Sequence, residues 1–262
     1  MFRALKTSAL GMTAQQMNVD NISNNLANVN TTGYKKSTVE FQDLLYENIQ
    51  AGGAGGSRDY QKPTEIQIGL GNKPISTFRS FSQGSIVQTG NPLDIAINGA
   101  GFLQVLKPDG TIVYTRDGAL KVNQDGVLVN NSGLRIYPDI TIPENAQQLS
   151  IGQDGTVTVQ FAGETNSTEI GQLEIVSFMN PAGLRALGGN LYEVTDASGD
   201  PSLGTPGENN MGMLAQGYLE KSNVDVAQEM IDLIVTQRAF EVNTKAVRTA
   251  DELLSMVNNL KR

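Results

Sequence analysis

Apolar side chains recur at every seventh position near the C-terminus, where Val226, Leu233, Phe240, Val247 and Leu254 form one unbroken column. A helix stacks that spacing along a single seam. The pattern predicts a helix from Asp225 to Leu260, about 36 residues and roughly 54 Å at 1.5 Å per residue, longer than an ordinary globular helix. A second column of Ala239, Ala246, Leu253 and Leu260 lies about 100° around the helix, and Val235, Val242 and Met256 widen the apolar arc further. A two-stranded coiled coil needs only a narrow stripe, so a single partner helix leaves part of this arc uncovered. Asp225 is the expected N-cap, with Gln228 placed to complete a capping box.

Residues 3 to 29 carry a related pattern. Leu5, Met12, Val19 and Leu26 lie seven apart, and Ile22 and Val29 fall on the adjoining column, which reads as a helix of about 27 residues with a narrow apolar seam. The two long helices are expected to pack as a coiled-coil-like pair. Asn18, Asn21, Asn24, Asn25 and Asn28 crowd the other faces, although asparagine is a mediocre helix former. These amides either face water or hydrogen-bond neighbouring helices in an assembly. Asn30 to Gly33 then ends the helix with residues suited to turns and left-handed conformations.

Between the helices the period changes. Ala51 to Ser57 is almost all glycine and alanine, the composition of a linker or hairpin tip. From about Gly84 to Gly217 short runs with period 2 alternate with turn residues, as in Phe102–Leu106, Thr111–Thr115, Ala119–Val122 and Val127–Val129. Asp109-Gly110, Asp117-Gly118 and Asp125-Gly126 recur at regular spacing and are read as tight antiparallel turns. The fold class that follows is α+β and multidomain. It has an N-terminal helical segment over 1–35, an extended connector over 36–83, an all-β antiparallel domain over 84–217 and a C-terminal helical segment over 218–262.

Composition narrows the chemistry. The chain has no Cys, His or Trp, which removes thiol nucleophiles, imidazole bases and the commonest zinc ligands together. The formal net charge of −8 leaves no broad cationic surface for nucleic acid or anionic lipid. No apolar run is long enough to span a membrane, and the first residues lack the pattern of a cleaved secretory signal. The repeated Asp-Gly pairs lack the alternating ligands of a calcium loop, and Gly99-Ala100-Gly101 precedes no helical pattern as a dinucleotide fingerprint requires. The acids Asp94, Asp139, Glu144 and Glu174 are read as surface carboxylates. No catalytic, cofactor-binding or metal-binding residue is assigned, and no cofactor is expected.

The run Asn24-Asn25-Leu26-Ala27-Asn28-Val29-Asn30-Thr31-Thr32-Gly33-Tyr34-Lys35 resembles the N-terminal motif of bacterial flagellar rod and hook proteins. Gln83 to Val105, Tyr114-Thr115-Arg116-Asp117-Gly118, Phe178 to Leu184, Gly189 to Tyr192 and Gln216 to Val224 are similar to further motifs of that family. The resemblance implies a structural, non-enzymatic subunit of the axial rod that polymerises into a helical tube and transmits torque. It implies both terminal helices in the inner wall, with Leu5, Met12, Val19, Ile22, Leu26, Val29, Val226, Leu233, Phe240, Val247 and Leu254 as assembly seams. Its implied partners are further copies, proximal rod subunits, hook subunits, surrounding ring proteins and the flagellar type III export apparatus, with neither nucleic acid nor membrane insertion. The implied location is the basal-body rod across the periplasm, reached without a cleaved signal. In this family a distal-rod subunit carries an extra stretch before its β domain, and Tyr46 to Gly71 has the corresponding place and length. Alternatives are a proximal rod or hook subunit, a helical-bundle oligomer of fixed size, and a secreted adhesin or carbohydrate-active enzyme using paired acids such as Asp94 and Glu174.

Overall fold

The computed structural model describes residues 2–50, 66–161 and 166–259. The glycine-rich run from Ala51 to Ser57 and the seam residue Leu260 lie outside the described residues. The chain divides into two compact units, one of Met1–Leu26, Ser37–Phe78 and Asp225–Arg262, the other of Ala27–Lys36 and Arg79–Val224.

The first unit holds helix α1 (Phe2–Ala27), helix α2 (Val226–Asn259) and a ribbon of strands. At 34 residues α2 is about 51 Å long. The helices touch in antiparallel register. Asn18 Nδ2 donates to Thr236 Oγ1 at 3.2 Å, Asn25 Nδ2 to Glu229 Oε2 at 3.2 Å and Thr244 Oγ1 to Met12 Sδ at 3.5 Å. Gly11 permits close approach, since a Cβ there would lie 3.0 Å from Asn243 Nδ2. At the start of α2, Asp225 Oδ1 accepts the Ala227 N–H at 2.9 Å, the expected N-cap. Gln228 does not close a box on it, because its side chain donates forward to Asp232 at 2.9 Å. α1 stops at Ala27, so Val29 sits in the following turn. In the ribbon, Ser37–Asp43 pairs with Asn72–Arg79 and Tyr46–Gln50 pairs with Ile66–Gly69.

In the second unit, the strand Phe102–Leu106 is the hub of a nine-stranded antiparallel sheet. It pairs with Ile112–Thr115, Arg135–Tyr137 and Ile175–Ser177. Both faces of the hub are covered because alternate residues enter different cores. Leu103 and Val105 join the aliphatic cluster of Ile97, Val113, Leu128, Ile136 and Ile175. Phe102 joins an aromatic cluster with Tyr114, Phe178 and Tyr192, whose rings meet edge to face.

Four hairpin loops share one construction, over Lys107–Thr111, Asn123–Val127, Asn130–Leu134 and Gly152–Thr156. The first residue donates its N–H to the carbonyl of the fifth and accepts the N–H of the glycine at the fourth. Those glycines, Gly110, Gly126, Gly133 and Gly155, have φ of 82°, 78°, 79° and 86°, matching a type I turn closed by a left-handed glycine. Gly118 departs from the expected turn. Its carbonyl accepts the Ile95 N–H at 3.0 Å, and a Cβ there would fall against the Ile95 carbonyl oxygen. It is needed for close backbone approach, and its φ is not in the left-handed region.

Gly118→Ala is therefore expected to destabilise by about 3 kcal/mol or more through overpacking. Gly110→Ala, which has open space around its Cβ, is expected to cost only the left-handed backbone penalty of about 1 kcal/mol. Urea unfolding midpoints of the two variants check the order.

Candidate functional site

Glu220 ends the short strand Tyr218–Glu220 that precedes α2. Its side chain is 1% exposed, and three distant stretches converge on it. Lys35 Nζ lies 2.6 Å from Oε1, Arg116 Nη1 2.9 Å from Oε2, and the Gly84 N–H donates to Oε1 at 2.8 Å. The Gly33 N–H donates to the Glu220 backbone carbonyl at 2.9 Å. Lys35 is fully buried and also donates to the Ser82 carbonyl at 2.7 Å. Arg116 donates to the Gly99 carbonyl, and its guanidinium lies 5.6 Å from the Phe102 ring centroid.

Local sequence explains how these groups arrive. Gly33 adopts φ of 69°, and a Cβ there would press on the Arg116 carbonyl at under 3 Å from its nearest atoms. The turn thus lies flat on the Arg116–Asp117 backbone and delivers Lys35 inward. Burial raises the Glu220 pKa, but Arg116, Lys35 and the Gly84 N–H together outweigh it and hold the carboxyl below its ordinary value. Burial, reinforced by Arg116, pushes the Lys35 ammonium below its ordinary value despite Glu220.

A second polar cluster sits in the helical unit. Asn25 is 1% exposed, accepts the Ser37 N–H at 3.0 Å and donates to the Ser37 carbonyl at 2.8 Å. Asn21 donates to that same carbonyl at 2.6 Å and accepts the Ser37 hydroxyl at 2.5 Å. With the Asn18 and Glu229 contacts given above, Asn18, Asn21 and Asn25 are engaged inside their own unit, while Asn24 is exposed.

The seam residues divide by exposure. Ile22 is buried, and Leu5, Met12, Val19, Leu26, Val29, Leu233, Val247 and Leu254 are partly buried. Val226 and Phe240 are 41% and 37% exposed. At 100° per residue, Ile231, Ile234, Val235, Val242, Leu253 and Met256 fall on the side of α2 roughly opposite Glu229, Thr236 and Val247. Each of these six is 41–64% exposed. In the family-like motif, Gly33, Tyr34 and Lys35 are buried together with Asn25.

Of the acids read as surface carboxylates, Asp94 departs from that expectation. Asp94 is buried and accepts the Asn91 amide at 2.9 Å, Asp139 faces Arg135 at 3.7 Å on the surface, Glu144 is exposed and Glu174 is half-buried. Reading the sequence did not single out Glu220 or Arg116. The available signal was a charged residue ending an otherwise apolar strand run, within stretches already noted as family-like.

Glu220→Gln leaves two cations without a carboxylate and is expected to destabilise by about 3–5 kcal/mol. Because the folded Glu220 pKa is lowered, its contribution is present above the ordinary 4.5 and is lost as pH falls through the lower folded value. Lys35 has the opposite sense, since the cost of its charge is present below its folded pKa and is relieved as pH rises toward 10.5. Unfolding free energy measured against pH should lose part of its acid limb in Glu220→Gln.

Three family models match the chain. "Flagella basal body rod protein" covers residues 5–35, "Flagellar hook protein FlgE/F/G D1 domain" covers 96–159, and "Flagellar basal body rod FlgEFG protein C-terminal" covers 215–260. The flagellar basal-body rod protein FlgG of Buchnera aphidicola subsp. Schizaphis graminum is 47% identical over 260 residues, spanning 99% of this chain and all of that protein. Its counterparts in Borreliella burgdorferi and Bacillus subtilis are 47% and 40% identical, each comparison spanning both chains completely. At that identity and coverage, this chain belongs to the flagellar basal-body rod protein family, a structural and non-enzymatic one.

Proposed function

We propose that the chain is a distal-rod subunit that polymerises into a straight helical tube and carries torque from the motor toward the hook. The observation that carries this reading is the apolar face of α2 opposite its contacts with α1, where Val235 and Val242 are 60% and 64% exposed. Apolar surface of that extent on a helix already engaged on its other side calls for another subunit. A face that meets a different patch on the next copy makes a heterologous contact, and such contacts propagate as a helix when the rotation does not close a ring.

In this reading α1 and α2 form a coiled-coil-like pair in the inner wall. Domains run over 1–35, 36–83, 84–217 and 218–262, and the named seam residues pack within and between subunits. Partners are further copies, proximal rod and hook subunits, ring proteins and the type III export apparatus, in a rod that crosses the periplasm. The ribbon supports the distal position through its pairing of Tyr46–Gln50 with Ile66–Gly69, which falls within the stretch Tyr46 to Gly71 expected of that subunit. Its exposed Leu45, Tyr46, Ile49, Ile66 and Ile75 offer further contact area.

Val235→Asp and Val242→Asp place a carboxylate on the exposed face. Both are expected to leave circular dichroism unchanged and to abolish rods in electron micrographs, because burying the new charge at a subunit contact costs several kcal/mol. Phe240→Asp and Val247→Asp, on the side facing α1, are expected to abolish incorporation while the β unit stays folded. Normal rods from cells making only these variants would contradict the reading.

A further inference from the structure

The Glu220 cluster is not charge-balanced. Two cations, Lys35 and Arg116, share one carboxylate, and the three side chains are 0%, 3% and 1% exposed. Arg116 and Glu220 alone would be neutral, so Lys35 adds a surplus positive charge where water does not reach, and burial and Arg116 both disfavour that charge.

The surplus cation arrives on a short segment, residues 27–36, separated in sequence from the rest of its unit. Beyond Lys35, that segment is tied by the Gly33 N–H to the Glu220 carbonyl, the Asn190 amide to the Thr32 carbonyl, the Ser80 N–H to the Lys36 carbonyl and the Lys36 N–H to Asn223 Oδ1. Supports of the Arg116–Glu220 pair include several from outside the segment: the Gly84 N–H, the Gly99 carbonyl and the Phe102 ring.

We propose that residues 27–36 form a releasable clasp on the β unit, which undocks as one piece and returns Lys35 to water while the Arg116–Glu220 pair stays closed. Removing Lys35 leaves a complete ion pair, whereas removing Glu220 leaves two cations facing each other. The three groups are therefore unequal, and their substitutions are coupled.

Two measurements on the full chain test the clasp. In the first, the unmodified protein is treated at neutral pH with an acetylating amine reagent, and Lys35 modification is followed by mass spectrometry. Hydrogen exchange of the Val105 and Val113 amides in the central sheet is followed in parallel. The opening rate from Lys35 labelling is expected to exceed that of the sheet amides by about tenfold or more, as for a local rather than global opening. Equal rates would overturn the clasp. In the second, denaturant titration gives folding constants for Lys35→Met, Glu220→Gln and the double variant. Glu220→Gln is expected to lower the constant about a hundredfold or more. Lys35→Met is expected to change it by less than about tenfold, and the double variant to recover about tenfold over Glu220→Gln. Additive losses would overturn the charge imbalance on which the clasp depends.

Discussion

A carboxylate removed from water must be neutralised where it stands, and this constraint organises the β unit. Glu220 draws Lys35, Arg116 and Gly84 to one point, stretches separated by most of the chain. Burying an ion costs several kcal/mol unless partners and hydrogen bonds replace its hydration shell. The convergence is thus specific as well as stabilising, since another register of the turn at Gly33 or of the strand ending at Glu220 would strand a charge. The Phe102 ring beneath Arg116 joins this polar centre to the aromatic core.

The helical unit solves a different problem. Its contacts between α1 and α2 are rich in amides, with Asn18, Asn25 and Glu229 bonded across the pair, and such contacts fix register more than they supply driving force. The larger apolar surface of α2 lies on the opposite side and is exposed. In the proposed rod, α2 keeps its polar groups on its own partner and turns this apolar face toward the next subunit.

The repeated Asp-Gly pairs show how far local patterning reaches. All four glycine loops follow directly from turn chemistry, because a left-handed residue closing a type I turn is a local requirement that glycine satisfies. Asp117-Gly118 has the same dipeptide and a different task. What excludes a side chain at Gly118 is the carbonyl of Ile95, a long-range neighbour that dipeptide identity does not encode.

The asparagines of α1 show the same division. Their helical spacing was legible, but whether they faced water, another subunit or their own chain was not, because an amide satisfies any of the three equally well. Periodicity by itself determined the two long helices, the antiparallel β region between them and the excess apolar arc of α2, since each follows from side-chain spacing along one element. Tertiary structure alone decided that Ser37 receives Asn21 and Asn25, and that Glu220 is the meeting point of Lys35 and Arg116. Charge burial depends on what the folded chain brings within a few ångströms, and no local spacing specifies that.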